Sequence, residues 1–210
     1  MNLSLAAFVA LIPSLAAAAP SLEAASAAAL TALEAASAPR PSAAAAAIAR
    51  RPAAATITGS IAGSPVDLTL DRRAWKITGA LNGYRADITI DQAAQKVTGA
   101  LNGTPVDLVQ DWTAEKVAYR GTANQTPVEY TVDWTAGTVD GTVNDVPLHL
   151  SFDLSKGTAD GFANDAPVSL SLDAQSGALS GALNHSKVEL TIVNGDLSDF
   201  LQYLFVFLKR

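Results

Sequence analysis

The sequence predicts an all-β fold: an antiparallel up-and-down meander of seven hairpin repeats of about 20 residues each, closed into a barrel around a hydrophobic C-terminal helix. Three observations carry this reading. A glycine recurs at Gly59, Gly79, Gly99, Gly121, Gly141, Gly161 and Gly181, at intervals of 20 residues with a single interval of 22. Alternating apolar and polar residues flank a two-residue turn signal just after each glycine. The chain then ends in residues 197–208, a run that is apolar on nearly every side of a helix.

Two kinds of chain are joined here. The 210 residues hold 20 acidic and 14 basic side chains, a formal net charge of -6. Alanine supplies 25 of the first 55 residues, and that stretch carries a net charge of +1, so the remainder carries -7. The boundary is expected near Ala55. Residues 1–18 read as a signal peptide: an apolar core over 3–15, then Ala16, Ala17 and Ala18, which suit cleavage after Ala18. Their n-region lacks Lys and Arg, and Pro13 interrupts the apolar run, which is too short for a membrane span. The reading is therefore export, to the periplasm, cell surface or medium, with a retained cytoplasmic chain as the alternative. Residues 19–55 read as a low-complexity Ala/Pro/Ser linker, broken at Pro39, Pro41 and Pro52.

Residues 56–194 form the repeat. Within six of the seven units an Asn follows the glycine (Asn82, Asn102, Asn124, Asn144, Asn164, Asn184), and a Pro stands six residues after the glycine in five of the seven. Asn-Gly between alternating runs signals a hairpin, because both turn residues need positive φ. A two-residue turn at Asn82-Gly83 pairs Leu81 with Tyr84, Gly79 with Ala86 and Ile77 with Ile88. A four-residue connector then pairs Ile90 with Val97. Every apolar residue falls on one face under this register, and Thr, Ser, Asp and Lys fall on the other. The stagger sums to a shear of roughly 12 to 14 over 14 strands, which suits a closed barrel. The seven glycines would line the lumen as a belt and make room for Phe200, Phe205 and Phe207 of the tail. That tail, residues 195–210, is read as a helix of about 18 Å that threads the barrel, with Ser198 or Asp199 as N-cap. A barrel around a hydrophobic C-terminal helix is similar in outline to the tubby-like domains, a likeness of architecture that shares no motif and carries no function. A membrane-inserted tail, a fifteenth strand and an inverted outer-membrane barrel are the weaker readings.

Composition excludes several functions. There is no cysteine, which removes disulfides, thiolate nucleophiles and Cys-based zinc sites. The acidic balance argues against nucleic acid and against strong binding to anionic membranes. No catalytic, cofactor-binding or metal-ligating residue is assigned. The Asp that closes six units (Asp71, Asp91, Asp111, Asp133, Asp153, Asp173) reads as an Asx-turn residue, facing lysine as Asp71–Lys76, Asp91–Lys96 and Asp111–Lys116. Asn194-Gly195-Asp196 with Asp199 reads as a turn and helix cap rather than a calcium loop. Asp107 and Asp111 lie on the wet face, and a carboxylate present in every repeat is structural. Trp112 and Trp134 could stack a sugar, with rim packing preferred; His149 and His185 read as solvent-facing. The one break in the repeat is hairpin four, with Val117, Tyr119, Arg120 and Tyr130. Three functions follow from this: a non-enzymatic scaffold or binding module; a carrier of lipid or another apolar ligand with the C-terminal helix as plug; and, least supported, a carbohydrate-active enzyme.

Overall fold

Fourteen consecutive strands make a closed antiparallel barrel in the computed structural model, which describes residues 51–208. The expected signal peptide, residues 19–50 of the expected linker and the last two residues lie outside the described residues. The strands are β1 (Ala54–Ile61), β2 (Ser64–Asp71), β3 (Lys76–Leu81), β4 (Tyr84–Asp91), β5 (Lys96–Leu101), β6 (Thr104–Trp112) and β7 (Lys116–Ala123). They continue as β8 (Thr126–Asp133), β9 (Thr138–Val143), β10 (Val146–Asp153), β11 (Thr158–Ala163), β12 (Ala166–Asp173), β13 (Ala178–Leu183) and β14 (Ser186–Val193). A helix α1 (Leu197–Gln202) and a 3-10 turn (Leu204–Val206) follow. The first strand starts at Ala54, so the last residues of the stretch read as linker belong to the folded body.

Turn chemistry fixes the register. Leu81 faces Tyr84, Gly79 faces Ala86 and Ile77 faces Ile88, and Ile90 faces Val97 across the connector, as the turn arithmetic requires. Asn82 and Gly83 both have positive φ, 54° and 78°, the I′ geometry whose twist matches that of the flanking strands. Gln125, Asp145, Asp165 and His185 take the second position at φ near 60° without glycine. The tolerant asparagine before each of them is common to six of the seven turns, and Ala62 takes its place before Gly63.

Following paired residues once around the wall returns to β1 displaced by 14 residues. Shear equal to strand number tilts the strands by about 36° and gives a radius of about 13 Å. Such a lumen is wider than its own inward side chains fill. The tail takes up the difference: every residue from 197 to 208 is buried, against inward residues such as Leu68, Ile88, Leu108 and Leu150. Each fully buried side chain of this kind contributes about 1.5–3 kcal/mol.

Two expectations about the lumen are corrected. The seven repeat glycines occupy inward register positions, yet none is buried, and Gly59, Gly79, Gly99 and Gly181 are exposed. Their φ values run from +133° to +154°. A Cβ on Gly79 would lie 2.0 Å from the Asp67 carbonyl oxygen of the adjacent strand, and the other six meet a backbone oxygen at 2.0–2.2 Å. The belt therefore bends the wall where no side chain is tolerated; it does not make room for phenylalanines. The tail, likewise, is not one long helix. Its N-cap is Asp196, and α1 stops at Gln202. The reason is Tyr130: its hydroxyl donates to the Gln202 carbonyl at 3.1 Å and accepts the Phe205 N–H at 3.3 Å, a proton that a continuing helix would direct four residues back. The chain turns there, and Phe207 stacks on Phe200 with ring centroids 4.5 Å apart.

On the outer face the residues beside each glycine compensate one another across the hairpin. Thr78 faces Asp87, Thr98 faces Asp107 and Arg120 faces Glu129. In the next two hairpins the acid changes side, as Asp140 facing His149 and Asp160 facing Ser169. A donor always meets an acceptor. The Asx reading holds at Asp71, Asp91, Asp133, Asp153 and Asp173, each of which accepts one or two loop N–H groups. At Asp111 it fails. The longer β6 and β7 pair Asp111 with Ala118, and Thr113 caps that loop instead. Asp71 faces Lys76 and Asp91 faces Lys96 as expected, while Asp111 does not face Lys116. None of the three makes an ion pair, since Asp71 and Asp91 give their carboxylates to loop amides and Lys116 turns to Asp133 at 2.8 Å.

Candidate functional site

The two ends of the barrel differ in composition. One end carries the seven two-residue turns. The other carries the connectors, the entry of the chain at residues 51–53 and its exit at 194–196. All three tryptophans of the sequence lie there: Trp75 in the first connector, Trp112 at the end of β6 and Trp134 directly after β8. Each is partly buried against the core, and Trp134 tilts onto Phe152 at 5.8 Å. Together with Arg51, Arg72 and Tyr203 they line a cavity of about 230 Å³.

A charged clamp floors this mouth. Asp199 is 2% exposed and is the third residue of α1, where it accepts the Asp196 N–H at 3.0 Å while Asp196 accepts the Ser198 N–H at 2.9 Å, completing a capping box. Arg51 donates to Asp199 at 3.1 Å, to Asp196 at 2.7 Å and to the Ser198 hydroxyl at 2.8 Å. Arg72 reaches the other Asp199 oxygen at 2.8 Å and the Pro52 carbonyl at 2.7 Å. Two arginines and two aspartates thus cancel, and the clamp joins the start of the barrel, its first connector and the start of the tail.

Behind the clamp lie the tyrosines of the irregular hairpin. Tyr119 packs on Tyr130 and on Phe205, both at 5.4 Å. Burial raises the ionisation of Tyr119, Tyr130 and Tyr203 well above that of a free phenol. These groups remain neutral, and their work is to seat the tail. Val117 is buried with them, whereas Arg120 stays outside in an exposed pair with Glu129 at 2.6 Å.

Next to the mouth a second cavity of about 280 Å³ is lined by Gln92, Gln95, Gln110 and Trp112. Trp112 lines both cavities. Gln110 is 3% exposed, on the inner face of β6 opposite Tyr119. Its Oε1 has no hydrogen-bond partner among the described residues, nor does Trp134 Nε1. An unpaired buried polar group costs about 1–3 kcal/mol, so a folded chain that keeps two of them beside cavities invites an explanation.

The residues weighed from sequence fall as follows. Trp112 and Trp134 are rim residues packed on the core, and both line the mouth. Asp107 and Asp111 are exposed on the outer face of β6. His149 is exposed beside Asp140 and Phe162, and His185 is an exposed turn residue. Among the described residues no group of three His, Cys, Asp or Glu is placed to hold a metal. Sequence reasoning missed Trp75, Arg51, Arg72 and Gln110. The repeat itself held the signal for the tryptophans, since positions 75, 112 and 134 all fall at connectors and connectors share one end. Arg51 carried none, because its segment reads as linker. No protein-family model, curated protein or solved structure matches this chain.

Proposed function

We propose that the protein is an exported, non-enzymatic binding module: a rigid closed barrel that presents its connector end, tethered through the Ala/Pro/Ser-rich stretch. The observation that carries this reading is the convergence of all three tryptophans on one mouth, against an outer wall of repeated Thr, Ser and Asp pairs. Aromatic walls with a few fixed polar groups are the usual make-up of a ligand site. With the tail in place the lumen favours the mouth over an apolar carrier: the gap beside Ile77, Tyr203 and Phe207 is about 10 Å³, less than one lipid methylene chain needs.

The test is native mass spectrometry of the full chain recovered from its own source, beside Trp112→Ala. A small-molecule adduct on the wild type that the variant lacks, on a chain beginning near Ala19, supports the reading. Lipid adducts that survive Trp112→Ala and vanish when residues 197–210 are deleted would favour the carrier. A turnover abolished by one exposed substitution would overturn the non-enzymatic reading.

A further inference from the structure

Resting on that reading, we infer that the ligand of the connector end is a neutral saccharide, held between the Trp112 indole and the glutamines of the second cavity. Three features of the site converge on this chemistry.

The first is charge. The charged side chains lining the two cavities are Arg51, Arg72, Asp196 and Asp199, and they neutralise each other at 2.7–3.1 Å. An anionic ligand would have to strip Asp199 of its arginines, and a cation would have to take the carboxylates from them. The site as built is suited to a ligand without charge.

The second is hydrogen bonding. Gln110 Oε1 lacks a donor and Trp134 Nε1 lacks an acceptor, each on a residue that lines one of the adjoining cavities. Both atoms are covered as the side chains stand, so Gln110 would have to turn its amide into the second cavity to meet a hydroxyl, a group that both donates and accepts. Gln92 and Gln95 add two exposed amides, which can each give and receive a hydrogen bond. A lipid chain would leave all of these groups unpaired.

The third is shape. Trp112 belongs to both cavities, so a flat ring lying on the indole has polar groups within reach at either side. The C–H face of a pyranose ring fits an indole face, while its rim of hydroxyls points outward to the amides. Cavities of about 230 and 280 Å³ suit one or two sugar rings in line.

The experiment titrates the full chain with maltohexaose, cellohexaose, chitohexaose and xylohexaose, following tryptophan emission and heat of binding. Parallel titrations use heparin hexasaccharide, sodium oleate and a neutral hexapeptide. Saturable binding of one of the neutral saccharides is expected, weakened at least tenfold by Trp112→Ala and by Gln110→Leu, and severalfold by Gln92→Ala. Gln92 is exposed, so its variant keeps the barrel intact if the other two do not. Gln110→Leu should also leave the denaturation midpoint unchanged or higher, because it removes the orphan oxygen; loss of affinity without loss of stability is the pattern a packing role cannot give. Binding of heparin, oleate or the peptide without binding of a neutral saccharide overturns the saccharide while leaving the mouth as the binding face. No response to any probe overturns the saccharide, and an adduct-free native mass then overturns the binding reading as well. Saccharide binding untouched by all three substitutions overturns the location.

Discussion

The turn end and the connector end of the barrel are built from the same fourteen strands, yet they obey different rules. At the turn end each hairpin solves one local problem, a pair of positive φ values, with asparagine in six of seven turns. The bonds beyond the hairpin there are the neighbour-to-neighbour contacts of the wall, such as the Thr104 hydroxyl on Asn124 and, where the barrel closes, the Ala62 N–H on the Lys187 carbonyl. The connector end shares the periodic Asx caps of its loops, but it also holds Arg51, Arg72 and Asp199, whose partners lie 127 and 148 residues apart in sequence. A uniform end is scaffold. An end where repeats diverge is where a specific site can be grafted onto that scaffold. Substitutions can break or sharpen this contrast.

The largest effect is expected at the clamp. Asp199→Ala leaves Arg51 and Arg72, both less than one fifth exposed, without their shared carboxylate and removes half of the capping box. The expected loss is about 3–5 kcal/mol, read as the shift in urea midpoint. If the loss were under about 1 kcal/mol, a value typical of exposed pairs, the tail would be held by its apolar packing alone and the clamp would be ornamental.

Next come two glycines four residues apart. Gly79→Ala places a Cβ 2.0 Å from the Asp67 carbonyl at φ +133°, and should cost about 3 kcal/mol. Gly83→Ala meets nothing within 4 Å at φ +78°, and should cost about 1 kcal/mol. Equal losses in the two variants would show that the belt glycine serves only its backbone angle and not the approach of the next strand.

That pair also shows where the sequence was legible and where it was not. Register, strand number, the inward face and closure all follow from a period-two pattern and a two-residue turn, which are local, so Ile77, Gly79 and Leu81 could be placed against Ile88, Ala86 and Tyr84 in advance. The position of the belt was equally plain, but its cause was not: φ at Gly79 is a property of the bent wall, and alternation alone assigns it to the lumen. The tail was legible as buried and illegible as a path, because Tyr130 reaches it from 72 residues away and ends the helix that local composition favours. Arg51 and Gln110 were invisible for the same reason. A buried ion partner in a linker-like stretch, and a glutamine in an apolar strand position, announce themselves only after the ends of the barrel are brought together.

A smaller effect tests that long-range seat. Tyr130→Phe leaves the Gln202 carbonyl and the Phe205 N–H without their partner, at about 1–2 kcal/mol. The same hydroxyl links stability to pH. Burial raises Tyr119, Tyr130 and Tyr203 above the ordinary phenol value near 10. A group whose ionisation is raised on folding contributes stability that is intact below its unfolded value and is lost as pH climbs toward the folded one. The barrel should therefore hold its midpoint up to about pH 10 and lose it above, with a shallower loss in Tyr130→Phe. An unchanged slope in that variant would mean that the tail leaves the lumen before Tyr130 ionises.

The smallest effect separates periodic from singular residues within the connector end itself. Asp71, Asp133, Asp153 and Asp173 lie at the same end as the clamp, and their loop partners hold each carboxyl below its usual value: the Ala74 N–H for Asp71, Lys116 for Asp133, the Ser155 hydroxyl for Asp153 and the Gln175 N–H for Asp173. A carboxyl lowered on folding contributes stability that is complete above the unfolded value near 3.9 and fades as pH falls through the folded one. Urea midpoints measured from pH 7 down to pH 2 should stay level to about pH 4 and then decline, and Asp153→Asn should flatten that decline slightly without touching ligand affinity. Asp71, Asp153 and Asp173 are held within their own loops, and Asp133 reaches no farther than Lys116 of the adjacent strand, so each loss stays local. Asp199→Ala should change stability and affinity together, since the clamp carries both the tail and the floor of the mouth. If Asp153→Asn altered affinity as strongly as Asp199→Ala, position at the connector end, rather than departure from the repeat, would be what marks a functional residue in this barrel.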